Sequence, residues 1–199
     1  MIIHFHISYK TMFGEQIVVN IQKDNEEVKY PLTTLDGERW SYDWCVEPTQ
    51  QAYTYYYSVV REGVVLKTEW LLVKHRLDMT AKKAAEYTLY DHWKVIPQDS
   101  YLYSSAFTDC INHQTPQEMK PCNYAKIVRI IVRAPQLRDG ESLGLLGAGQ
   151  VLGNWKLQNV VPMTQHIYNE WAVDLDATQL QSSHLELKFV AVDKKKSQV

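Results

Sequence analysis

The sequence is poor in cysteine, with three in 199 residues, and carries only eight glycines. Cys45, Cys110 and Cys122 are an odd set whose spacing suits neither a disulfide framework nor a zinc site. Reduced, mostly buried thiols are expected, with a Cys110–Cys122 disulfide as the alternative. No apolar run approaches the ~20 residues that span a bilayer. The opening Met-Ile-Ile-His-Phe-His-Ile lacks the basic segment and long apolar core of a signal peptide. A cytoplasmic protein is expected. A formal net charge of −2 gives no electrostatic reason to bind nucleic acid or an anionic membrane. No glycine-rich phosphate loop, serine nucleophile motif or Cys–His pairing is recognisable. Of the histidines only His4 and His6 share a strand face, and neither has a third ligand nearby in sequence. No metal, cofactor or catalytic residue is therefore assigned.

Aromatic residues are plentiful: 13 Tyr and 6 Trp. They add core mass, and they also make flat faces with a polar tip suited to recognition. Period-two alternation places Ile3, Phe5, Ile7 and Tyr9 on one face of a first strand, with His4, His6 and Ser8 on the other. Phe13-Gly14-Glu15 turns into the β-rich run Gln16–Ile21. A tyrosine-crowded strand, Tyr53–Val60, meets Val64–Leu66 through a hairpin at Arg61-Glu62-Gly63. Lys126–Arg133 repeats the strand pattern and stops at Pro135. Ala85–Trp93 reads as a closing strand, and Thr80–Glu86 as one short helical possibility. Many short strands separated by turns predict an all-β sandwich or small barrel.

The two halves repeat each other in order. Pro31-Leu32-Thr33 precedes Trp40 as Pro162-Met163-Thr164 precedes Trp171, and Asp43 and Asp174 each follow their tryptophan by the same step. Tyr55–Val60 corresponds to Leu187–Val192, and Gly14-Glu15 to Gly140-Glu141. The second copy is slightly longer, and its extra length falls in Gly147-Ala148-Gly149-Gln150-Val151-Leu152-Gly153-Asn154-Trp155. The predicted layout is a first module over 1–112, a linker over 113–124 and a second module over 125–199.

Glycines at 147, 149 and 153 allow positive φ and tight bends. A loop of this kind can hold Trp155 at the end of a sandwich as a rigid platform needing little ordering on binding. The apolar C–H face of a pyranose ring would fit such an indole. Equally, Trp155 could plug the end of the core; the residues alone leave both readings open.

Leu152-Gly153-Asn154-Trp155, then Val161-Pro162-Met163, Glu170-Trp171 and Leu187-Lys188-Phe189-Val190, resembles the starch-binding domain of carbohydrate-binding module family 20. The resemblance runs from about Ala125 to the last residue. It implies an immunoglobulin-like sandwich that grips α-1,4-glucan, with Trp155 stacking and Lys188 hydrogen-bonding sugar hydroxyls. A second site of the family would fall near Tyr168 and Trp171, although Trp171 also reads as core. The first half resembles the family less completely. Thr68-Glu69-Trp70 with Arg76-Leu77 is similar to its closing segment, which makes Trp70 the stacking residue there. Asp24 stands at the offset of Trp155, however, and Tyr56 at that of Lys188, so the first module binds with an altered platform to which Tyr30 or Tyr56 contributes, binds weakly, or is mainly structural. The expected fold is two immunoglobulin-like antiparallel β-sandwiches in tandem.

By the same comparison the second module's closing tryptophan would lie just beyond Val199. Two such modules, joined through Asp91-His92-Trp93 and Ser104–Phe107, resemble the N-terminus of a disproportionating-type 4-α-glucanotransferase of glycoside hydrolase family 77. That resemblance implies a downstream catalytic domain, with its two-carboxylate chemistry, as the chain's own partner. The expected ligand is starch, glycogen or maltooligosaccharide. The competing reading is an immunoglobulin-like protein–protein interaction module, which predicts an exposed apolar sheet face without aromatic platforms on end loops.

Overall fold

The computed structural model describes residues 1–199 except 24–25, 48–51, 79–85, 109–116, 121, 139, 168, 181, 183 and 194–199. The helical possibility at Thr80–Glu86 lies outside the described residues except for Glu86, which opens a strand. Tyr168 and Cys110 lie outside them as well. The chain forms two compact units, Met1–Pro97 and Gln98–Val199. The segment assigned from sequence to the end of the first module and a linker thus groups with the second unit. There Gln117 N donates to Gln165 O at 2.8 Å, and Cys122 Sγ lies 3.4 Å from Asp174 Oδ2.

The first unit contains β1 (Ile2–Ser8), β2 (Gln16–Lys23), β3 (Glu26–Pro31), β4 (Thr33–Thr34), β5 (Arg39–Cys45), β6 (Ala52–Arg61), β7 (Val64–Thr68), β8 (His75–Asp78) and β9 (Glu86–His92). One sheet runs β4-β5-β1-β9 and the other β3-β2-β6-β7, with β8 also paired to β6. Pairing is antiparallel except for β9, which lies parallel to β1 with Ile2 opposite Glu86. The alternation read from sequence sets the faces: Ile3, Phe5 and Ile7 are buried against Ile17, Val19, Ile21, Tyr53, Tyr55 and Tyr57 of the facing sheet. The β6–β7 hairpin turns on Glu62 and Gly63, both at positive φ, as a two-residue turn matched to strand twist requires.

In the second unit β10 (Ile127–Arg133), β11 (Glu141–Gly147), β12 (Val161–Pro162), β13 (Thr164–Ile167), β14 (Glu170–Asp176) and β15 (Leu187–Asp193) form sheets ordered β10-β14-β13 and β12-β11-β15. Its core gathers Leu143, Leu145, Leu152, Met163, Trp171, Val173 and Leu175. The same pairings recur in the two units. Leu32 N donates to Ile17 O where Met163 N donates to Leu143 O. Asp43 faces His4 across β1–β5, with Oδ1 2.7 Å from Nδ1. Asp174 accepts two hydrogen bonds from the Arg129 guanidinium across β10–β14, at 2.7 and 2.9 Å.

Two expectations are corrected here. Cys45 is exposed, because it ends β5 on the side away from the core. Tyr30 is not a free platform: its ring stacks on Tyr42 at 5.0 Å and packs against the first core.

Candidate functional site

The loop after β11 sets the site in the second unit. Gly147 ends β11 at a point where a Cβ would lie 2.3 Å from Glu186 O and 2.8 Å from Leu152 Cδ1. Its glycine is required for space, not for positive φ as the sequence suggested. Leu152, 1% exposed, is driven into the core and pins the loop from below. Gly153 adopts φ +79, and a Cβ there would strike Asn159 O at 2.4 Å.

Asn154 (φ 50) and Trp155 (φ 61) then follow in the left-handed region. Asparagine tolerates that region, but a bulky indole-bearing residue is a genuine outlier there. Such strain costs on the order of 1–3 kcal/mol per residue and persists only where the surroundings impose it. Here Asn154 N donates to Gly149 O at 3.0 Å and Lys156 N to Gly153 O at 3.0 Å. The result is that Trp155 stands 45% exposed on a fixed backbone. Plugging the core falls instead to Leu152.

The strand β15 supplies the second group. Lys188 pairs in register with Leu146 of β11, and its Nζ lies 5.8 Å from the Trp155 ring centroid. The arrangement places an ammonium with three donors over a flat apolar ring. It can stack on the C–H face of a sugar ring while donating hydrogen bonds to the ring's hydroxyls.

The remaining sequence candidates are not gathered at this point. Trp171 is 5% exposed in the second core, because the alternation of β14 turns it inward with Val173 and Leu175; it offers no open ring face. Tyr56 lies on the outer face of β6, in register with buried Asn20, and donates its hydroxyl to Glu27 at 2.9 Å. Its partial burial and the Glu27 carboxylate push the phenol up to about 12. Trp70 follows β7, donates its backbone N–H to Lys94 O at 3.0 Å, and lines a cavity of about 460 Å³ with Lys67, Leu71 and Trp93. Tyr56 is not among that cavity's lining residues. Sequence reasoning missed Trp93 and Lys67. The only signal for them was a tryptophan directly after the last strand of the first half.

His4 and His6 do not form a metal pair. His4 bridges Asp43 and Glu86 on the surface, and His6 stacks on Tyr90 at 5.1 Å. Among the described residues no group of three or more His, Cys, Asp or Glu side chains is placed to hold a metal ion, and no helix is long and apolar enough to cross a membrane.

The family model described as Starch binding domain, of carbohydrate-binding module family 20, matches residues 126–199. That match places a starch-binding domain on β10–β15, with Trp155 and Lys188 inside it. A glycoside hydrolase family 15 glucoamylase from Hypocrea jecorina is structurally similar at 19% identity and a TM-score of 0.40, over 48% of this chain. The alignment spans 17% of that glucoamylase chain. No curated protein matches the chain.

Proposed function

We propose that the chain binds α-glucan without catalysing its cleavage, and that the second unit does so through Trp155 and Lys188. The observation that carries this reading is the exposed, backbone-fixed indole beneath the Lys188 ammonium, within the residues that match a starch-binding domain. Starch, glycogen and maltooligosaccharides share the ring face and hydroxyl pattern that this pair addresses. We further propose that the chain serves the catalytic domain of a longer, cytoplasmic 4-α-glucanotransferase, holding polymer near an active site that lies outside these residues. The resemblance of the paired modules and their connecting segment to such enzymes supports this part. The protein–protein reading is less favoured, because it calls for no aromatic platform on an end loop, and Trp155 is one.

Affinity electrophoresis in gels with and without soluble starch tests the assignment. The wild-type chain is expected to be retarded by starch, and Trp155→Ala to lose most of that retardation. Unretarded wild-type protein would refute α-glucan binding.

A further inference from the structure

Resting on the α-glucan reading above, we propose that the first unit carries a sugar site of its own in the cleft between Trp70 and Trp93, with Lys67 as its hydrogen-bonding group. The positions that match Trp155 and Lys188 by offset are Asp24 and Tyr56, so a family-type pair is absent from the first half. An equivalent pair is nevertheless present elsewhere in the unit. Lys67 Nζ lies 5.5 Å from the Trp93 ring centroid and 5.4 Å from that of Tyr9. The same ammonium-to-indole distance in the second unit is 5.8 Å.

The cluster is built to hold its shape. Tyr9 and Trp93 pack ring on ring at 4.2 Å, and both rest against the first core. Lys67 Nζ donates to the Tyr9 hydroxyl at 3.0 Å, which leaves two of its three N–H donors for a ligand. Beneath the cleft the buried carboxylate of Glu69 accepts Tyr57 N and Lys94 N, each at 2.8 Å. These bonds fix the two segments that carry Trp70 and Trp93 relative to each other, and preorganised aromatic faces lose little freedom on binding.

The chemistry of the cleft favours an uncharged ring with one apolar face. A volume of about 460 Å³ lies within the usual range for small-ligand sites. Trp70 and Trp93 form aromatic walls, and the rim residues Val95 and Ile96 are 66% and 67% exposed. The Glu69 carboxylate, already satisfied, makes the floor unsuitable for an anion. An α-linked glucose segment lies flat against indole and takes hydroxyl hydrogen bonds from the Lys67 ammonium.

Calorimetric titration of the full chain with maltoheptaose tests this proposal. Trp155→Ala is expected to retain a measurable site. Adding Lys67→Ala or Trp93→Ala to Trp155→Ala is expected to weaken that residual site by about tenfold. Lys67 is exposed, so its removal leaves the fold intact and keeps the test decisive if Trp93→Ala is unstable. Loss of all binding in Trp155→Ala, with the wild type still binding, would overturn the first-unit site and leave the α-glucan assignment standing. Residual binding unaffected by Lys67→Ala would overturn it too. A wild-type chain that takes up no maltoheptaose would overturn both.

Discussion

On the proposed reading, Trp155 is a residue at which a local backbone sacrifice serves recognition. Left-handed φ at two consecutive non-glycine residues is stabilised by hydrogen bonds within the loop and by burial of Leu152 three residues earlier. Removing the indole should cost little stability because it is 45% exposed, while truncating the anchor should cost much. Leu152→Ala is expected to destabilise the second unit by about 2–5 kcal/mol, measured by chemical denaturation. Gly147→Ala is expected to destabilise it by about 1–3 kcal/mol, because the new methyl meets backbone at Glu186 O. Lys188→Ala should lower maltoheptaose affinity by about three- to tenfold with the melting temperature unchanged. An unaltered affinity would remove Lys188 from the site.

At the scale of elements, the first unit is fastened by a buried polar network where β6, β8 and β9 meet. Asp91 accepts the hydroxyls of Tyr55 and Tyr57 at 2.9 and 2.8 Å. His75 lies 3.2 Å from Asp91 and 3.1 Å from Glu69. Burial alone would lower the His75 pKa, but its hydrogen bonds to the two carboxylates outweigh that and raise it above 6.5. Burial likewise pushes Asp91 up, and its bonds to His75 and the two tyrosines bring it below 3.8.

A raised histidine stabilises the fold below its unfolded pKa, and that contribution is lost as pH rises through the folded one. A lowered carboxyl stabilises above its unfolded value, and that contribution is lost as pH falls through the folded one. The first unit should therefore be most stable between about pH 4 and pH 6.5 as far as this network decides. Its melting temperature should fall on the alkaline side, and His75→Gln should abolish that fall; an identical alkaline profile in the variant would contradict the network's role.

These elements also show what was legible beforehand. Period-two alternation marked β1, β-rich composition marked β2, the Glu62-Gly63 turn marked the hairpin, and the loop glycines marked the strained segment that carries Trp155. Trp171, read from sequence either as core or as part of a second site, is core. The parallel pairing of β9 with β1 was not legible, because a strand's direction relative to a distant neighbour leaves no trace in its own residues. The Lys67–Trp93 pair was hidden for the same reason: the two residues meet only after β7 and the end of β9 are brought together.

On the scale of the whole molecule, each unit has its own hydrophobic cluster, as expected of domains able to fold separately. A fragment of residues 98–199 should therefore keep a cooperative melting transition and starch retardation. The two sites proposed above, if each is weak, would together raise effective concentration along a polymer. The full chain should accordingly bind soluble starch at least about tenfold more tightly than residues 98–199 alone, while the two differ far less on a short maltooligosaccharide. Equal affinity for starch would remove the linked-site advantage.

The central claim is that sugar stacks on the Trp155 indole. The most direct measurement is the ultraviolet difference spectrum of the tryptophans on saturation with maltoheptaose, compared between the wild type and Trp155→Ala. A wild-type indole perturbation that drops sharply in Trp155→Ala, leaving only a smaller remainder, is the predicted result. A perturbation of full amplitude in Trp155→Ala would contradict the account.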